Sequence, residues 1–218
     1  MKYKFKNHIF NDTIEIPQNY KTIILLSHFA ISRQKGNLVE FLKLLKQNNY
    51  SPSKQYEVLL QIYLFGGFPV SLESLKIFNE ISPLKRKVST NTHNENLIAD
   101  GKRNCYKVYG KNTQKLISNV EAFSPELAEW LISEGYGKVF SRSGLSFLER
   151  EIVAITSLSY LQFSEQLFSH INGAFRNGLS IDALSKMIMY IAGINNTKRG
   201  NFIIQVFESF KLRKGLTK

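Results

Sequence analysis

Two residues in the second half of the chain have types and spacing suited to moving a proton. Glu151 falls on the edge of an apolar stripe made by Leu148, Ile152, Ile155 and Leu158, with Ala154, Ile155 and Leu158 as its surface neighbours. A carboxyl group placed there is partly withdrawn from water, which raises its pKa toward neutrality. His170 sits one position before Ile171, with Leu167 and Ala174 along its own helical edge, and the small Gly173 and Ala174 leave room beside it. Such a pair supplies a proton acceptor and a proton donor near neutral pH. That suits proton abstraction next to a carbonyl, enolate protonation, or decarboxylation through such an intermediate. A structural Glu/His pair bridging two helices fits the same residues, so both readings stand at this point.

The pair meets only if two helices form an antiparallel hairpin turning near Gln162-Phe163. At a rise of 1.5 Å per residue Glu151 then lies roughly 16 Å before the bend and His170 roughly 11 Å after it, about one turn apart. Apolar residues recur at three- and four-residue steps almost everywhere, and no stretch shows sustained period-two alternation, so the fold class is all-α. The periodicity predicts helices over about 19–33, 37–48, 53–65, 69–81, 112–121, 125–135, 146–161, 164–177, 181–192 and 197–211. Ser51-Pro52 and Ser124-Pro125 place a capping hydroxyl before a first-turn proline, and Ser146 to Glu149 reads as a capping box. Gly178 and Gly193 are expected to end helices.

From Ser82 to about Lys102 the pattern dissolves into polar residues, dividing the chain into an N-terminal helical unit (1–88), a linker (89–110) and a C-terminal unit (111–218). The two units resemble each other when displaced by about 129 residues, which superposes Ser51 on Ser180 and suggests an internal duplication. Under that offset Thr22 stands where the second unit has Glu151, and Phe41 where it has His170. One composite pocket per chain is therefore expected, with Glu151 and His170 from the second unit and packing or the Gly66 to Pro69 loop from the first.

The 218 residues carry 43% apolar residues and a formal net charge of +12, enough for a sizeable core and attractive to polyanions. The basic residues are scattered, with short clusters at Lys85-Arg86-Lys87, around Lys102-Arg103 and at Lys211 to Lys214, so a solvated basic surface is favoured over a nucleic-acid partner. A single cysteine, Cys105, excludes a disulfide within the chain, and no His/Cys cluster has zinc-ligand spacing. The start carries positive charge with no apolar run behind it, and no apolar stretch approaches the roughly 20 residues of a bilayer span, so a cytoplasmic protein with no membrane partner is expected. Arg150, beside Glu151, is a candidate for binding an anionic substrate and equally a solvated helix residue. Tyr136 and Arg142, in the segment entering the Glu151 helix, face substrate on one reading and pack a turn on the other. Glu165 reads as a helix N-terminal charge, while His8, His28 and His93 show no partner spacing.

The run Ser124-Pro125-Glu126-Leu127, then Gly137-Lys138-Val139, Ser141-Arg142-Ser143-Gly144-Leu145-Ser146 and Arg150-Glu151, resembles the "fGkvlsrpgLs…Re" segment of the carboxymuconolactone decarboxylase family. Gln166-Leu167 to His170, Gly173-Ala174 and Gly178-Leu179-Ser180 are similar to that family's "eL..H..gAl..G.s" segment, and Tyr63 to Pro69 to its "Y.G.P" loop. The resemblance implies a helical bundle of two tandem family repeats with a degenerate first half, and Glu151 and His170 as catalytic residues. It further implies substrate contacts from Gln166, Tyr136, Arg142, Arg150 and Tyr63, and cofactor-free, metal-free chemistry on a small carbonyl or lactone compound. Assembly as a homo-oligomer, a trimer or hexamer, is implied on the same ground. The related alkylhydroperoxidase D branch uses a CxxC ahead of the histidine. Phe163 and Gln166 occupy those positions here, so peroxidatic chemistry of that form is not expected. A non-catalytic ligand-binding or scaffold member of the family is the alternative.

Overall fold

The computed structural model describes residues 14–84 and 96–216; the expectations that fall on His8, Lys85-Arg86-Lys87 and His93 lie outside them. Two helices make the centre. In α1 (Gln18–Ile31) every residue from Lys21 to Ile31 is buried, and in α8 (Phe147–Leu161) every residue from Glu149 to Ser159. A helix apolar on nearly every side has no face to give to water, so the two pack against each other and are surrounded. Around α1 lie α2 (Lys35–Gln47), α3 (Pro52–Gln61) and α4 (Tyr63–Ile81). Around α8 lie α9 (Ser164–Arg176) and α11 (Thr197–Arg213), with α10 (Ile181–Ile194) on α11. One continuous core runs from Ile23 to Phe210 through both groups. The paired starts Gln18 and Phe147, Lys35 and Ser164, and Pro52 and Ile181 are each 129 residues apart. The helix α4 breaks at Gly67, whose φ of 74° a side chain would resist, and resumes around Pro69, where a missing N–H costs little.

Between the groups run α5 (Leu97–Tyr109), a 3₁₀ turn, α6 (Thr113–Glu121), α7 (Pro125–Trp130) and a π-helix, Leu131–Val139. Among the described residues there is no strand. Residues 97–109 correct the linker expected over 89–110. Their buried stripe is Gly101, Asn104, Cys105 and Val108, which has helical spacing but too few apolar side chains to register as a hydrophobic period. Its small residues permit close approach: a Cβ on Gly101 would stand 2.1 Å from the Ile132 carbonyl oxygen, and one on Gly137 would stand 2.4 Å from that of Leu97. The π-helix is thereby clamped to α5, around a second, smaller apolar cluster that includes Cys105, Ile132, Tyr136 and Phe140.

The expected caps form at Ser51, at Ser124 and as a complete capping box at Ser146–Glu149, and Gly178 takes a φ of 103° after α9. Gly193 does not end its helix. The segment α10 continues to Ile194 and stops at extended Asn195. The turn between α8 and α9 is made by Gln162 in a left-handed conformation, φ 63°. No single described helix is long and apolar enough to cross a membrane.

His28 is buried in α1 against the edges of Phe29 and Tyr160. Burial, aided by the nearby Arg199 charge, lowers its pKa from 6.5 to about 4. The unfolded chain therefore binds a proton between pH 6.5 and 4 that the folded chain refuses. This contribution is fully present above pH 6.5 and is lost as pH falls toward 4, amounting to about 3 kcal/mol at most. Thermal unfolding of the wild type should show that slope and a His28→Leu variant should lack it; equal slopes would contradict the assignment.

Candidate active site

The hairpin of α8 and α9 brings Glu151 and His170 together. His170 Nδ1 lies 3.1 Å from Glu151 Oε2 and 3.2 Å from Oε1, with Glu151 wholly buried and His170 6% exposed. Burial pushes the Glu151 carboxyl above its usual value, and the charge and hydrogen bond of His170 pull it part of the way back. Gly173 makes room for the pair. A Cβ there would stand 2.6 Å from Glu151 Oε2 and 3.2 Å from the backbone of Val108 in α5. Gly173→Ala should therefore displace the carboxylate from His170 and overpack the α5–α9 contact, costing about 1–3 kcal/mol. Thermal unfolding together with a crystal structure of the variant would check both effects, and an unchanged Glu151–His170 contact would contradict the first.

His170 opens onto a cavity of about 1000 Å³, whose lining includes His170 and not Glu151. Since Nδ1 is engaged by Glu151, Nε2 is the ring nitrogen left to exchange a proton with whatever occupies the cavity. Tyr136 and Tyr109 also line it, their hydroxyls hydrogen-bonded to each other. Burial holds both phenols above the ordinary tyrosine value, so they remain protonated donors at neutral pH. Tyr63, from α4, donates to Glu134 Oε2 at 2.9 Å, and Lys138 meets Glu134 Oε1 at 3.2 Å. The wall thus combines both halves of the chain: Tyr63, Phe65 and Phe68 from the first, with the π-helix and α9 from the second.

Of the residues singled out in the sequence, His170, Gln166, Tyr136 and Tyr63 share this cavity, with Glu151 directly against His170. The two arginines do not. Arg150 is fully buried, and it and Arg142 both bind Glu57 of α3: Arg142 through Nε and a terminal nitrogen at 2.9 and 2.8 Å, Arg150 at 3.1 Å. Arg150 also donates to Gln61 Oε1 and to the Arg142 carbonyl. Neither lines the cavity, so in place of an anion-binding Arg150 and a substrate-facing Arg142 the two have a structural role, joining α3 to α8. The sequence offered no sign of this, because Glu57 lies 93 residues from Arg150. Tyr109, Trp130, Glu134 and Phe140 are cavity residues that the periodicity missed. Tyr109 fell in the expected linker. The others lie on or beside the π-helix, whose wider turn departs from the three- and four-residue steps used to find helices. Cys105 is buried below Tyr109, and burial pushes its thiol up to about 12, so it offers no thiolate nucleophile at neutral pH.

No family model matches the chain. Among known proteins it is 28% identical over 80 residues to 4-carboxymuconolactone decarboxylase of Acinetobacter baylyi, a match covering 37% of this chain and 60% of that protein. It is 30% identical over 129 residues to Peroxisomal protein 2 of Schizosaccharomyces pombe, covering 57% of this chain and 61% of the relative. Against Peroxisomal protein 2 of Saccharomyces cerevisiae the identity is 23% over 219 aligned positions, covering 78% and 77%. The chain thus spans about 60% of the length of the first two.

Proposed function

Because this chain belongs to the carboxymuconolactone decarboxylase family, we propose that it carries out cofactor-free proton transfer next to the carbonyl group of a small organic compound. The observation that carries the reading is the buried Glu151–His170 contact at the wall of a large cavity. In this reaction His170 Nε2 takes a proton from the carbon beside the carbonyl. The C–H electron pair moves into the new C=C bond while the carbonyl π electrons pass to oxygen, giving an enolate. Return of the proton from Nε2 to a carbon of the enolate regenerates the carbonyl and the neutral ring. Glu151 acts on the ring rather than on the substrate. It fixes the orientation of the imidazole through Nδ1 and stabilises the imidazolium formed in the first step. Gln166 precedes His170 by one turn on the same face of α9, and its amide N–H can meet the carbonyl oxygen as charge develops there.

Decarboxylation through the same enolate demands a carboxylate in the cavity. Proton transfer is the form favoured here, since the arginines that would receive a carboxylate are bound to Glu57. Incubation with simple ketones and lactones in D₂O tests the reading. Deuterium should enter the position next to the carbonyl faster than in buffer alone. Rates equal to buffer across ketones that bind would sink it.

A further inference from the structure

The walls of the cavity select a different kind of molecule from the small anion that Arg150 suggested. Its lining is largely hydrocarbon, with Phe65, Phe68, Trp130, Leu131, Phe140 and Leu158 around the opening and sides. Its charged lining residues are Glu129, Glu134 and Lys138, two acids and one base. The base is already paired with Glu134, which also accepts from the Tyr63 hydroxyl. An entering carboxylate would meet a wall of net negative charge and lose hydration, and among the described lining residues the one lysine is already paired with Glu134. The volume, about 1000 Å³, stands at the upper end of the roughly 300–1,000 Å³ that encloses drug-sized ligands. A compact lactone would leave most of it to water. The apolar surface also continues outward: Phe68 is 70% exposed, Trp130 55% and Leu127 50%, an uncovered edge of a cavity whose inner end, at Tyr136, Phe140, Leu158 and His170, is buried.

Resting on the proton-transfer reading above, we propose that the substrate is an uncharged carbonyl compound bearing a large apolar group, a long-chain or polycyclic ketone or ester. The carbonyl lies against His170 and Gln166, and the apolar group fills the aromatic channel between the π-helix and the Tyr63 to Phe68 segment. The area removed from water supplies the affinity, while the acidic wall supplies the discrimination against carboxylates.

The test is displacement of Nile red, an uncharged fluorescent probe, from the full chain by 2-alkanones of six to fourteen carbons and by 3-oxo carboxylates of matched length. Affinity for the ketones should rise about fourfold per added CH₂, the equivalent of about 0.8 kcal/mol, until the cavity is full. Each ketone should bind at least tenfold more tightly than the matching acid. Trp130→Ala should weaken the long ketones about tenfold, and Glu134→Gln should narrow the gap between ketone and acid. Affinity independent of chain length, or acids binding more tightly than ketones, overturns the proposal. So does probe binding that disappears as protein concentration rises, which would mean that a second copy of the chain covers the opening. Deuterium exchange measured on the same ketones separates the two claims. Chain-length-dependent binding without exchange contradicts the proton-transfer reading alone, whereas exchange confined to small acids contradicts the substrate class alone.

Discussion

His170→Ala is expected to lower the rate of deuterium entry into a bound ketone by about 10²–10⁴-fold, the usual contribution of a positioned acid–base group. Binding of the ketone should change little, because the imidazole is one element of a wall that is otherwise apolar. Glu151→Gln should also lower the rate, through the ring. The amide keeps the shape of the carboxyl group and can still hydrogen-bond Nδ1, but it cannot balance a charge on the imidazole. The deficit should therefore appear in turnover rather than in affinity, because the buried contact through Nδ1 acts on the ring and not on the ketone. Kinetics of both variants across pH check this. Loss of affinity with turnover intact would assign the pair a structural role instead.

The second large effect lies away from the cavity. Glu57 is 2% exposed and is the shared acceptor of Arg142 and the wholly buried Arg150, linking α3 to the start of α8. Removing it leaves a guanidinium uncompensated in the core, so Glu57→Ala should cost about 3–5 kcal/mol. In a chain of this size that corresponds to a fall on the order of 10 °C in melting temperature. Replacing both partners, as Glu57→Leu with Arg150→Met, should recover much of the loss, because an apolar pair carries no desolvation penalty. The sign of the pH dependence follows from the carboxyl. Burial alone would raise its pKa, but the hydrogen bonds and charges of Arg142 and Arg150 outweigh burial and hold it below the ordinary value. Its contribution is therefore present above the unfolded pKa of about 4.5 and disappears as pH falls through the folded value. The gap between wild type and Glu57→Ala should shrink in acid. A constant gap in differential scanning calorimetry from pH 7 to pH 3 would speak against this cluster as its source.

Much of this architecture was legible from local chemistry. The apolar run from Ile23 to Leu26, the Ser146–Glu149 box and the Ser51-Pro52 start each specify a helix or its beginning within a few residues, and the structure places them there. Glu151 and His170 were legible for a related reason: helical periodicity and a short hairpin fix their separation without knowledge of the remaining chain. The failures share a physical cause. In α5 the buried face is made of Gly101 and Asn104 as well as Cys105 and Val108, so burial there follows from close backbone approach rather than hydrophobicity. In the π-helix the spacing of facing residues changes, which hid Glu134, and Phe140 at its end, from a search at three and four residues. The burial of Arg150 and the pairing of Arg150 and Arg142 stay hidden in the sequence because the carboxylate that binds both comes from a helix distant in sequence.

The claim at the centre is that the His170 ring itself carries the proton, held by Glu151 and open to the cavity. Chemical rescue tests it most directly. In His170→Ala the vacated space adjoins the cavity, so added imidazole can enter where the side chain stood. The account predicts that imidazole restores deuterium exchange into a long-chain ketone with saturable dependence on its concentration, and that substituted imidazoles rescue in proportion to their basicity. A folded His170→Ala protein that binds the ketone yet gains no exchange from any imidazole would contradict it.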